Sequence, residues 1–154
     1  MQVVMHAHPP YATAQACLKD PQILPIHQNS PRFIPRTAYY SEYAVPDAMK
    51  EGEIIGQSMK NKDVLMMANH GTLVVAPTMH VAFDDTVYLE RTCMYQMLAL
   101  NSVGGNKEKL AHLDVEAAAK TAAYYTQEMI DKYAVKHFYS WWNQYVNEKS
   151  DVFQ

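Results

Sequence analysis

The chain opens on Met5-His6-Ala7-His8-Pro9-Pro10 and meets a further histidine at Asn69-His70-Gly71. Histidines at i and i+2 of an extended segment point to one face. His6 and His8 can therefore aim both imidazoles at a single point. His70, in a sharp turn after an apolar run, can bring a third nitrogen to it. Three neutral imidazoles with a fourth position open are the donor set of a catalytic Zn²⁺ ion rather than of a closed structural one. The competing reading is three satisfied histidines at strand ends.

Short elements must position these rings. Residues 2–6 read as a buried strand, Val-Val-Met entering the histidine pair, and Pro9-Pro10 ends it. Pro10 suits the first turn of a helix, where a missing N–H costs nothing. Residues 11–18 follow as a helix of small residues, in which Ala12, Ala14 and Ala16 allow close approach to a sheet or another chain. Pro21, Pro25, Pro31 and Pro35 predict loop over residues 20–36, with extended pieces at Ile23-Leu24 and Phe33-Ile34. Pro46-Asp47 opens a helix to about Lys60. The apolar run from Asp63 to Ala68 reads as a strand covered on both faces. The turn at 69–71 returns the chain antiparallel through Thr72 to Ala76. Thr78 is a plausible N-cap for a helix over 79–102, ended by Gly104-Gly105-Asn106. A second helical region spans about 113–148, with a break expected near Tyr133-Ala134. The pattern predicts a layered α/β domain with a mixed, largely antiparallel sheet. Two or three strands are few for such a sheet, and the missing ones are expected before residue 1.

Composition narrows the function classes. With 154 residues, 49% hydrophobic and 19% charged, the chain suits one globular domain with a real core. A net charge of -3 gives no reason to expect nucleic acid or acidic membranes as partners. No run approaches the roughly 18 apolar residues of a membrane span. No basic region followed by an apolar run marks a leader. Cys17 and Cys93 have no C-x-x-C spacing and read as buried small hydrophobes in a reducing, cytoplasmic-type compartment.

His6-Ala7-His8-Pro9-Pro10-Tyr11-Ala12-Thr13-Ala14 resembles the H-x-H-[SP]-x-x-A-T-A segment of the class II aldolase/adducin family. Asn69-His70-Gly71, between two strands and ahead of a long helix, resembles that family's third zinc-ligand motif. The resemblance covers residues 1–105 as a metal-site core. Residues 106–154 stand as a helical C-terminal part of the same single domain, 1–154. It implies a three-layer α/β/α fold lacking the family's N-terminal segment, and it implies His6, His8 and His70 as ligands of Zn²⁺ or another divalent metal. It further implies a lyase acting on a small hydroxy-carbonyl substrate, a sugar phosphate or keto acid, through an enediolate. Decarboxylation, dehydration, epimerisation and adducin-like assembly are the family's alternatives. A homo-oligomer, a tetramer in the family's common form, is expected.

The proton-transfer group is less evident. The family's sugar-phosphate aldolases place a tyrosine just after a histidine that aligns with His27. Here Gln28 follows, and a primary amide cannot serve as an acid at neutral pH. His27 itself either approaches the site or serves as a packing histidine in a loop. Glu42, among Tyr39, Tyr40 and Tyr43, is the one acid between the motifs worth testing as a base. Asp47 and Glu51 read as helix-start and solvated residues. Glu90 is expected to make a structural hydrogen bond or a subunit contact. His80, His112 and His137 read as neutral surface or packing residues. Phe138, Tyr139, Trp141, Trp142 and Tyr145 read as a packing patch, with an interface as the alternative.

Overall fold

A computed structural model describes residues 3–41 and 48–148 of the chain. The elements are β1 (Val3–Ala7), α1 (Pro10–Ala16), α2 (Ser30–Phe33), β2 (Thr37–Tyr40), α3 (Ala48–Met59), β3 (Val64–Met67), β4 (Gly71–Ala76), α4 (Met79–Ser102), a 3-10 turn (Lys107–Lys109), α5 (Val115–Tyr124) and α6 (Gln127–Glu148). The strands form one mixed sheet in the order β1-β4-β3-β2. β1 and β3 run antiparallel to β4, and β2 runs parallel to β3.

The apolar run of β3 is buried on both faces because helices cover both. Val64 and Met66 pack with Ala12 and Ala16 of α1 and with Leu89 and Cys93 of α4. Leu65 and Met67 point the other way, toward Met59 and Ile55 of α3. This alternation produces the three layers. Each fully buried Val, Leu or Met contributes about 1.5–3 kcal/mol of burial free energy. Ala12 and Ala16, one helical turn apart, form the close face of α1, while Ala14 is exposed. Two buried glutamines anchor the proline-rich loop: Gln15 donates to the Pro21 carbonyl, and Gln96 accepts from Leu24 N–H and donates to the Gln22 carbonyl.

α4 has the bounds its sequence predicts. Thr78 Oγ1 accepts from Val81 N–H at 3.3 Å. At the other end Gly104 and Gly105 take φ of 62° and 81°, and Gly105 N–H closes on the Leu100 carbonyl. No ligand is needed to explain these glycines. No helix of the described residues is long and apolar enough to cross a membrane.

Four expectations need correction. Residues 37–40 form a strand, β2, which supplies the sheet with a member from inside the chain. Phe33 is helical, not extended, because Pro31 sits in the first turn of α2, where no N–H is required. The C-terminal helices part at Tyr125-Thr126, not at Tyr133-Ala134. Thr126 Oγ1 accepts from Met129 N–H and starts α6, and Ala134 is fully buried inside it against the Val81-Ala82 face of α4. Cys17 is exposed, because it caps the end of α1 rather than lying on its packed face. The opening of α3 at Pro46-Asp47 lies outside the described residues.

Burial pushes the Cys93 thiol far up, and the nearby Glu90 charge adds to this. The reactive form of a thiol is the thiolate. A disulfide reagent is therefore expected to titrate one thiol, Cys17, in the native protein and both in denaturant. Rapid native reaction of both would contradict the packing of Cys93 beneath α1.

Candidate metal centre

His6 lies on β1 opposite Leu73 of β4, and Ala7 lies opposite Thr72. Val3 and Met5 turn inward onto Val81, Ala82 and Ile130. Val4 and His6 therefore face the other way, and both are exposed. The register carries His8 past the strand end to a place opposite Gly71. A Cβ on Gly71 would stand 2.4 Å from His8 Cδ2 and 2.7 Å from the Ala7 carbonyl oxygen. Glycine is required here by the approach of a ring and a backbone, and the Asn-His-Gly motif thereby acquires a physical reason.

His70 is set by the turn that precedes β4. Its N–H donates to the Met67 carbonyl at 3.1 Å, closing a four-residue turn. Asn69 takes φ of 55° at the third position, where turns with a left-handed residue accept Gly or Asn. Asn69 N–H also donates to the Ala16 carbonyl at the end of α1. Thus α1 starts two residues after His8 and ends against the turn that carries His70.

The three rings converge. Centroids lie 4.6 Å apart for His6–His8, 4.8 Å for His6–His70 and 5.1 Å for His8–His70. One ligand nitrogen from each lies within 4.8 Å of the others. His6 Nδ1 stands 3.0 Å from the Thr72 carbonyl oxygen. A carbonyl only accepts, so the proton sits on Nδ1 and Nε2 presents its lone pair. That Nε2 is 3.1 Å from His8 Nε2. Two ring nitrogens so close need a proton or a cation between them. Tetrahedral Zn²⁺ with bonds of about 2.0–2.1 Å separates its nitrogens by about 3.3 Å. A ligating imidazole that donates its other N–H to a carbonyl is also the common pattern around a metal. The residues fit a divalent cation in donor type and spacing, and His6 fits it in tautomer as well.

His27 is not part of this cluster. Its ring packs on Tyr95 at 4.4 Å, and its Nδ1 accepts from Asn29 N–H. Burial holds its pKa below the usual histidine value. Glu42 lies outside the described residues. Glu90 makes structural hydrogen bonds: its Oε1 accepts from Tyr11 N–H at 2.9 Å and its Oε2 from Ala12 N–H at 2.8 Å. His80 packs against Phe138 and Tyr139. Trp141 and Trp142 are half-exposed and, with Phe83, Phe138 and Tyr145, line an apolar groove of about 180 Å³.

Sequence reasoning missed a buried ion cluster. Arg32 of α2 pairs with Asp84 and Asp85 of α4, Arg36 pairs with Asp85 and Asp63, and His137 of α6 meets Asp84 at 2.7 Å. Asp84-Asp85, adjacent acids on a helix whose neighbouring inward positions are Val81, Ala82 and Leu89, was the available signal.

Residues 1–97 match the profile described as Class II Aldolase and Adducin N-terminal domain, a span that holds all three histidines. A protein of Caulobacter vibrioides with the name "Putative aldolase class 2 protein" is 34% identical over 70% of this chain and 41% of its own length. The fold resembles an aldolase II superfamily protein from Pseudomonas syringae, with a TM-score of 0.80 at 23% identity over 96% of this chain and 57% of that one. It also resembles the L-fuculose 1-phosphate aldolase from Glaciozyma antarctica, with a TM-score of 0.73 at 22% identity over 95% and 53%. The chain thus spans less than two thirds of the length of each. From the motif pair, the mixed sheet that brings its three imidazoles together and the matched profile, the chain belongs to the class II aldolase and adducin family.

Proposed function

We propose that His6, His8 and His70 hold a divalent cation, Zn²⁺ first among them, in a lyase of the class II aldolase type. The substrate class is a small hydroxy-carbonyl compound, a sugar phosphate or keto acid, reacting through an enediolate. The observation that carries this reading is the convergence of three ring nitrogens, with the His6 tautomer set by the Thr72 carbonyl. A divalent cation there supplies Lewis acidity, offsetting negative charge that develops on substrate oxygen. His6 and His8 contribute a rigid pair from one strand end, and His70 a third donor from the turn. The exposure of His6 and His8 leaves room for a small substrate from the solvent side. The same reading takes the protein as a cytoplasmic homo-oligomer, a tetramer in the family's common form.

Metal analysis tests this directly. Protein grown with Zn²⁺ is expected to carry about one ion per chain, as a three-histidine site would. Lyase turnover should vanish with a chelator and return with Zn²⁺. A metal content near zero would leave the adducin-like assembly reading. Gln28, exposed in the place where the sugar-phosphate aldolases carry tyrosine, favours a second reading of the same site. A decarboxylase, dehydratase or epimerase of this family would not need that acid.

A further inference from the structure

We propose that Glu90 is a positioning residue for the metal centre, acting through the backbone of α1 on His8. The inference rests on the reading of the three histidines as ligands. It starts from an incomplete helix end. The first N–H groups of any helix lack partners inside it. In α1 the N-cap is Pro9, which has no side-chain acceptor, and Pro10 has no N–H at all. Thr13 N–H reaches the Pro9 carbonyl at 2.8 Å. That leaves Tyr11 and Ala12, and Glu90 takes one with each carboxylate oxygen, at 2.9 and 2.8 Å.

The carboxylate comes from the middle of α4, the longest helix among the described residues, next to the fully buried Leu89. Between its anchor at residues 11–12 and the ring of His8 stand only Pro9 and Pro10. Proline fixes φ near -65°, and Pro9 has φ -64° and ψ 137°. This link has little slack. His8 is exposed, so packing alone does not hold its ring. Its placement against Gly71 and 3.1 Å from His6 Nε2 is set from one side by the β1–β4 pairing that ends at Ala7 and from the other by the backbone that Glu90 clamps. Ala16, at the other end of α1, receives Asn69 N–H from the turn of His70. A shift of α1 would therefore disturb two of the three donors.

The test compares Glu90→Ala, Glu90→Gln and Thr78→Ala with the wild-type chain. Zn²⁺ affinity is read by competition with a chromophoric chelator, and Co²⁺ absorption reports coordination. Thermal unfolding of each variant is measured in parallel. Thr78→Ala removes the cap of α4 but touches nothing near His8, so it controls for general destabilisation. Glu90→Ala is expected to weaken Zn²⁺ binding about 10–100-fold, the range for residues that orient a ligand from behind. Glu90→Gln keeps the shape and one acceptor and should fall between. Should the alanine variant not fold, the glutamine variant carries the comparison. Glu90 variants that bind Zn²⁺ as the wild type does would overturn the proposal, and so would Thr78→Ala weakening it equally. A wild-type chain that binds no Zn²⁺ overturns the histidine reading itself.

Discussion

Asp85→Ala is expected to cost the fold about 3–5 kcal/mol, the range for removing one partner of a buried ion pair. Asp85 is fully buried and accepts from Arg32 Nε at 3.0 Å and from both terminal nitrogens of Arg36, at 3.0 and 2.6 Å. Arg32 is 5% exposed. Burial alone would weaken the Arg36 charge, but Asp85, and then Asp63, more than offset it and hold the guanidinium above its ordinary range. Without Asp85, two guanidinium groups share Asp84 and the half-exposed Asp63. The loss is large because a buried cation keeps its desolvation cost after its partner has gone. For a chain of this size it corresponds to a fall in melting temperature of about 6–20 °C. Urea and thermal unfolding check it. A loss below about 1 kcal/mol, the worth of a surface pair, would mean that water reaches the cluster.

The cluster also marks where the sequence stopped being legible. Local signals sufficed for α4, whose cap Thr78 and terminal glycines stand next to the residues they govern. They sufficed for the histidine pair and for the hairpin through Asn69, because strand alternation and turn chemistry act over a few residues. β2 escaped notice because Thr37–Tyr40 is short, follows four prolines and gains its partner, β3, from more than twenty residues on. The boundary between α5 and α6 contains neither Gly nor Pro, and only the hydroxyl of Thr126 marks it. Nothing local joins Arg32 and Arg36 to Asp84 and Asp85, because about fifty residues of chain separate them. Glu90 was legible as a structural acid, but its partners at Tyr11 and Ala12 were not. Tertiary contacts, not local propensity, settle β2, the ion cluster and the partners of Glu90.

Gly71→Ala is expected to lower Zn²⁺ affinity at least about 100-fold, the upper end for a displaced supporting contact, while leaving the chain folded. The added methyl would stand 2.4 Å from His8 Cδ2, 2.7 Å from the Ala7 carbonyl oxygen and 3.2 Å from His8 Nε2. The ring can swing aside by rotating its own side chain. The Ala7 carbonyl cannot, because it belongs to the β1 backbone paired with Thr72. Relief therefore requires both a rotated His8 and a displaced strand end, and either movement separates the two Nε2 atoms that lie 3.1 Å apart. The strain should also cost about 1–3 kcal/mol of stability, as overpacking does. Gly71 does not sit at positive φ, so the backbone conformation itself tolerates alanine. A double variant separates the two sources. His8→Ala together with Gly71→Ala removes the ring from the clash, and part of the lost stability should return while Zn²⁺ binding does not. Should Gly71→Ala alone bind Zn²⁺ like the wild type, the ring of His8 does not rest against Gly71, and the metal centre is not built from the end of β1.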